Sequence, residues 1–146
     1  MNDNYYEDIK GLYIRTSYIS IPHLTQFPKA GIISIFICRY MNPMCSMYEG
    51  TAVHFPELSP SKELFYDIKH RRISKDEYNS RYLEEQKDLD IPKLLFRFYS
   101  LINAANARGV CMMCYEKDRD VCHRKLLADK INSTKILDDE IRELLL

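Results

Sequence analysis

The sequence predicts an α/β protein whose mostly parallel sheet of three or four strands is interrupted by a helical insertion. Ile32–Cys38 (IISIFIC) and Val110–Tyr115 (VCMMCY) are near-continuous apolar runs. Such runs mark strands covered on both faces, as parallel-sheet strands are. Between them lie three consecutive helical patterns with cap signals, about Ser59 to Ala107. Strands alternating with helices imply a parallel sheet.

In chain order, Leu12–Tyr18 (LYIRTSY) is rich in aromatic and β-branched residues and reads as a strand. Pro22 and Pro28 flank a segment that is either one helical turn or a loop. The strand Ile32–Cys38 hands over to Arg39 and Tyr40. From Asn42 to Pro60 the chain reads as irregular, with Pro43, Gly50, Pro56 and Pro60; a loop of this length is usually functional or mobile. Ser59-Pro60 suits a helix start, since Pro costs nothing at the first helical position, and Leu64, Phe65 and Ile68 give that helix an apolar stripe. Ser74–Glu77 is a capping box opening a second helix to about Lys87. Asp90 caps a third, Ile91 to about Ala107, with Leu94, Leu95, Phe98, Leu101 and Ile102 on one face and Gly109 as its C′ stop. After the strand Val110–Tyr115, Asp118 or Asp120 caps a helix carrying Val121, Leu126, Leu127 and Ile131. Lys135–Leu137 reads as a short fourth strand and Asp138–Leu146 as a terminal helix with acidic residues in its first turn.

A chain of 146 residues reads as one domain, 1–146. Such a chain buries roughly 68–70% of its unfolded surface and needs no covalent staple to fold. Lys plus Arg and Asp plus Glu number 21 each, so no global positive field draws the protein to nucleic acid or to an anionic membrane. Any polyanion contact has to be local. The N-terminal MNDNYYEDIK is acidic and polar, unlike a secretory signal, and the apolar stretch Gly31–Cys38 is far shorter than the ~20 residues a membrane helix needs. The five cysteines, an odd number, then read as free thiols of a cytoplasmic protein without a membrane partner.

Ligands of parallel sheets bind outside the carboxyl ends of the strands. That rule gathers Tyr18 and Ser20, Arg39 and Tyr40, and Glu116 through Arg124 at one edge. Cys122-His123-Arg124 stands out there. In the first turn of a helix, beside an imidazole and a guanidinium, a thiol pKa falls from about 8.5 into the range of roughly 3.5–7.5. Cys122 is then a candidate nucleophile, or the amides and Arg124 hold a phosphate; alternatively Cys122 packs into the core and Arg124 meets a carboxylate. Glu116, where the strand emerges, is either an acid–base group or a structural carboxylate. Cys111 and Cys114 point to opposite faces of a strand and cannot share one tetrahedral metal ion, and the reading calls for no cofactor. Tyr115–Asp118 are too bulky and acidic for a phosphatase-type loop between Cys114 and Arg119. Lys69-His70-Arg71-Arg72 either contacts nucleic-acid phosphates or complements a helix C-terminus. His23 and His54 read as surface residues. Tyr40 and Tyr48 are candidates for stacking a base.

CYEKDRDVCHRKLLADKI at 114–131 and FPELSPSKELFYDIKHRRISKDEYNSRY at 55–82 resemble the domain-of-unknown-function 488 family. The first looks like its C-terminal signature and the second like its small phage- and bacteria-type members. The resemblance covers about 12–132. It implies a Rossmann-like α/β domain without an established activity. By the motif it carries over Cys114, Glu116, Cys122, His123 and Arg124, with Arg15 at the strand-one position. Larger members have an aspartate-arginine pair after the second strand; here the pair is Cys38-Arg39, so only Arg39 matches. Two functions follow as expectations. One is an enzyme acting on a nucleotide-like or nucleic-acid substrate, with Glu116, Cys122 and His123 catalytic and Arg15, Arg39 and Arg124 binding the anion. The other is a non-catalytic module for a phosphorylated ligand, nucleic acid or protein partner.

Overall fold

The two apolar runs pair directly with each other. In the computed structural model of the protein, which describes residues 3–41, 52–115 and 123–144, one sheet contains β1 (Ile14–Tyr18), β2 (Ile32–Phe36), β3 (Ala52–His54), β4 (Gly109–Cys114) and β5 (Arg142–Glu143), in the order β3-β2-β4-β1-β5. Every pairing is parallel. The α-helices among the described residues are α1 (Asp3–Lys10), α2 (Ile21–Lys29), α3 (Lys62–Lys69), α4 (Lys75–Glu85), α5 (Ile91–Ala105) and α6 (His123–Ser133), with a 3-10 turn at Pro56–Leu58. No helix among the described residues is long and apolar enough to cross a membrane.

β4 is buried along its whole length, because β1 and β2 flank it and a core covers each face. Ile14, Ile35, Val110 and Met112 point to the larger core, where Leu64 of α3, Tyr82 of α4, Leu95 and Phe98 of α5 and Leu127 and Ile131 of α6 meet them. Ile32, Phe36, Cys111 and Met113 point the other way, to Leu24 and Phe27 of α2. The period-two alternation of β4 thus places Cys111 and Cys114 on opposite faces, as the sequence requires.

Several local signals act as read. Ser74 Oγ accepts from the Glu77 amide (3.1 Å) and Asp90 Oδ1 from the Lys93 amide (3.1 Å). Other expectations are corrected. The first insertion helix is capped by Ser61, whose Oγ accepts from the Leu64 amide (3.1 Å), so Ser59 and Pro60 precede it. α5 ends at left-handed Asn106, and Gly109 instead opens β4. The Pro22–Pro28 segment is a full helix: Ser20 caps it, Pro22 sits in the first turn where its missing N–H costs nothing, and Pro28 lies in the last turn. The sheet has five strands, not three or four. β3 lies in the stretch read as irregular, and β5 replaces the expected terminal helix, while Lys135–Leu137 forms no strand. Tertiary partners override helix propensity there. Asn132 brackets the backbone of Ile141, accepting from its N–H (2.8 Å) and donating to its carbonyl (3.1 Å), and the Leu144 amide donates to Thr16 O (2.8 Å).

Gly109 is fixed by its neighbour. A Cβ there would lie 2.3 Å from the Tyr13 carbonyl oxygen and 2.9 Å from Tyr13 Cβ. Backbone has to shift to admit it, and overpacking of this kind costs about 1–3 kcal/mol. Gly109→Ala is therefore expected to lower the melting temperature by several degrees in a thermal denaturation scan, and an unchanged melting temperature would contradict the close approach.

Candidate functional site at the carboxyl edge of the sheet

Because all pairings are parallel, Tyr18, Phe36, His54 and Cys114 end their strands at the same edge. The chain after β2 stays on the sheet for one more step, with the Ile37 amide donating to Met113 O (2.9 Å), and then turns outward at Cys38-Arg39-Tyr40. Two contacts fix that exit. His54 Nε2–H donates to Cys38 O (2.8 Å), and the Tyr115 hydroxyl donates to Tyr40 O (3.0 Å).

A cavity of about 760 Å³ opens at this point, within the size range of small-molecule sites. From the sheet side it is lined by Cys38, Arg39, Tyr40, Cys114, Tyr115 and His123. From the helical side come Pro60, Phe65, Ile68, Lys69, Arg71 and Tyr78. Among the described residues its charged lining is Arg39, Lys69 and Arg71, with no carboxylate. None of these three forms an ion pair with a described residue. Aromatic rings stand beside the charges: Tyr40 meets Phe65 edge-on at 5.5 Å, and Lys69 Nζ lies 5.6 Å from the Phe65 centroid.

Arg71 reaches the cavity through unusual backbone. It follows the α3 cap residue His70 with φ +57°. Its amide donates to Ile68 O (3.1 Å) and the Arg72 amide to Asp67 O (2.8 Å). This is the Schellman closure, whose left-handed position usually takes glycine; an L-residue there costs about 1–2 kcal/mol.

His123 opens α6 at the back of the cavity. It is buried, its ring packs on Tyr82 at 5.3 Å, and its Nε2–H donates to Ile37 O at 2.5 Å. Tyr82 is itself held by donation to Leu58 O (2.7 Å), and burial raises its phenol well above the usual range. Burial is also the main cause that pushes the imidazole down to about 4; the Arg124 charge lowers it further, and the Ile37 bond opposes both. His123 is therefore neutral at pH 7.

The remaining expected residues are dispersed. Arg124 is fully buried, yet its guanidinium faces Glu143, with Nη2 at 2.9 Å and Nε at 3.2 Å from Oε1, and its Nη1 lies 3.3 Å from Cys114 Sγ. The Thr16 hydroxyl donates to the other Glu143 oxygen (2.6 Å). This cluster ties α6, β5, β1 and β4 together. Arg15 is held by Asp139 Oδ2 (2.8 Å), ahead of β5, and by the Tyr13 ring at 4.2 Å; its hydrogen bond is the first cause of the lowered Asp139 carboxyl. Neither Arg15 nor Arg124 lines the cavity. Glu116 and Cys122 lie outside the described residues, as does Tyr48.

The thiols and histidines need correction too. Cys114 is disulfide-bonded rather than free. Cys38 and Cys111 are buried thiols outside any disulfide, and burial pushes the Cys111 thiol up, away from thiolate. His23 is no surface residue: it is buried, its Nδ1–H donates to Tyr18 O (2.7 Å), and its ring stacks on Phe27 at 5.2 Å. Sequence reasoning missed Phe65, Tyr78 and Cys38 as lining residues. For Lys69 and Arg71 the signal was present in the basic cluster, but a helix-end explanation accounted for it equally well.

A parallel α/β protein with a cation-rimmed, ring-lined cavity at its carboxyl edge is what fold and site define. Comparison with protein families matches residues 25–135 to the Active DUF488-N3 subclade (DUF488-N3a). That span is most of the chain, and the protein belongs to the DUF488 family. Arg15 precedes the matched residues. Comparisons with curated proteins and with solved structures find no match.

Two predictions follow from this geometry. Breaking a buried ion pair from one side costs about 3–5 kcal/mol, more than replacing both partners by apolar groups. Glu143→Gln is expected to lose stability of that order in urea denaturation, and Arg124→Met with Glu143→Met to lose less. The second concerns acid. The folded His123 pKa of about 4 lies below its ordinary 6.5, so between these values the unfolded chain binds a proton that the folded one does not. The contribution is whole above pH 6.5 and is lost as pH falls toward 4, on the order of 3 kcal/mol. His123→Gln should flatten the melting temperature's pH dependence in that window.

Proposed function

We propose that this protein is an enzyme acting on a nucleotide-like or nucleic-acid substrate bound in the carboxyl-edge cavity. One observation carries the reading: Arg39, Lys69 and Arg71 face a ring-lined cavity without a carboxylate partner among the described residues. Cations without a described carboxylate partner, set beside aromatic faces, suit a ligand that is anionic at one end and planar at the other. Arg71 strengthens the case, since a left-handed arginine where glycine is easier marks strain retained at a working position. The anion then falls to Arg39, Lys69 and Arg71, while Arg15 and Arg124 hold the C-terminal segment. The all-parallel sheet with helices on both faces supports a Rossmann-like domain, and "Active" in the subclade's description supports a catalytic member.

In this reading Glu116 is the acid or base and Cys122 the nucleophile or polar anchor, both supplied by the segment that leads into His123. His123, neutral and fixed through Ile37, is a positioning group at the cavity's back and adds no charge to it. The second reading, a non-catalytic binding module, is favoured by a different fact: Cys114 is in a disulfide and Arg124 in a buried ion pair, so two motif residues have structural duties.

Thermal shift tests the assignment, because a ligand that binds only the folded state adds about 2.7 kcal/mol at a hundredfold excess over Kd. Nucleotides or oligonucleotides should raise the melting temperature by several degrees, and the uncharged nucleosides should not. Arg39→Ala and Lys69→Ala should abolish the shift. Arg71→Gly should reduce it while making the free protein no less stable, since glycine relieves the left-handed position. A protein whose melting temperature no phosphorylated ligand moves would refute the reading. With a ligand in hand, loss of turnover in Cys122→Ala with retained binding selects the enzyme over the module.

A further inference from the structure

The far side of α3 carries a second cavity, of about 460 Å³, lined by Lys62, Glu63, Tyr66, Asp67, His70 and Arg72. The helix separates the two spaces by its own periodicity. Phe65, Ile68 and Lys69 face the first, and residues 62, 63, 66, 67 and 70 face the second. Its chemistry differs. Lys62 and Arg72 are balanced by Glu63 and Asp67, and Asp67 is neutralised locally by Arg81 (2.8 Å) and Arg72 (3.5 Å). What the second cavity offers is an aromatic stack: the ring planes of Tyr66 and His70 lie within 10° of parallel, with centroids 5.9 Å apart.

Lys69 joins the two. Its Nζ lies 5.6 Å from Phe65, which lines the first cavity, and 6.0 Å from Tyr66, which lines the second. At the helix end the left-handed Arg71 sends consecutive arginines to opposite sides, Arg71 to the first cavity and Arg72 to the second. The path between the cavities therefore crosses positive charge, and it ends on stacked rings in a locally neutral setting. Phosphate suits the crossing, and an unpaired base suits its end.

From this we infer that the ligand is a single-stranded oligonucleotide rather than a mononucleotide. One nucleotide occupies the carboxyl-edge cavity, the backbone passes over the C-terminal end of α3 at Lys69 and Arg71, and a neighbouring base stacks on the Tyr66–His70 platform. The inference rests on the proposed function and specifies its substrate class. A helix with its side chains is roughly 10–12 Å across. A single strand therefore needs a few nucleotides to cross it.

Fluorescence-anisotropy competition with thymidylate chains of one, two, four, six and eight nucleotides, and the matching uridylate chains, tests this. Affinity for at least one sugar series should rise about tenfold or more from one to four nucleotides and then level off. His70→Ala and Tyr66→Ala should remove most of that rise, leave mononucleotide affinity unchanged, and His70→Phe should restore it. His70 is exposed, so its replacement does not endanger folding. A mononucleotide that competes as well as the octamer, a rise that survives both alanine variants, or a duplex that binds as tightly as its single strands would overturn the inference and leave the proposed function standing. Failure of mononucleotides and oligonucleotides alike would remove both.

Discussion

Everything at the functional edge depends on β4 being hydrogen-bonded in parallel on both sides. A central strand with no exposed residue cannot slip in register without moving its apolar side chains to the wrong core, so the positions of its neighbours follow from it. Parallel pairing to β1 and β2 sends the chain out of the sheet at the same edge three times. The exits carry Cys38-Arg39-Tyr40 and Cys114-Tyr115, and the chain's return into α6 brings His123 to the same place. Backbone hydrogen bonding assembles the sheet side of the cavity, and side-chain contacts such as Tyr40 with Phe65 join it to the helical side.

The C-terminal segment plays the opposite part. β5 is only two residues long, too short to hold by its ladder alone. It is held by side chains: Glu143 between Arg124 and Thr16, Asp139 on Arg15, and the Asn132 amide clasping Ile141. Two arginines that look like ligand-binding groups in the sequence thus secure the last strand. Buried guanidinium is costly unless fully partnered, and here the partners come from a segment whose acidic residues look, in isolation, like the first turn of a helix.

What could be read from the sequence divides along this line. The apolar runs Ile32–Cys38 and Val110–Tyr115 announce a parallel sheet because burial on both faces leaves a local imprint. Ser74 and Asp90 announce their helices because a cap acts within three residues. β3 and β5 leave no such imprint: His54 and Glu143 earn their places through partners far along the chain. The cavity was half visible for the same reason. Arg39 and His123 were legible from strand-end position and motif. Lys69 and Arg71 required knowledge of which way a helix end turns, and that depends on a left-handed residue that is not glycine. The free-thiol expectation failed at Cys114 because composition speaks to an average cysteine and not to a particular pair.

A neutral His123 has a consequence for how the cavity responds to its surroundings. Imidazole is the side chain whose ordinary titration falls between pH 5 and 8, and this one is uncharged throughout that interval. The charged residues described at the mouth, Arg39, Lys69 and Arg71, belong to classes that hold their charge far above neutrality. Acidification across the physiological interval therefore adds no charge to the back of the cavity through His123.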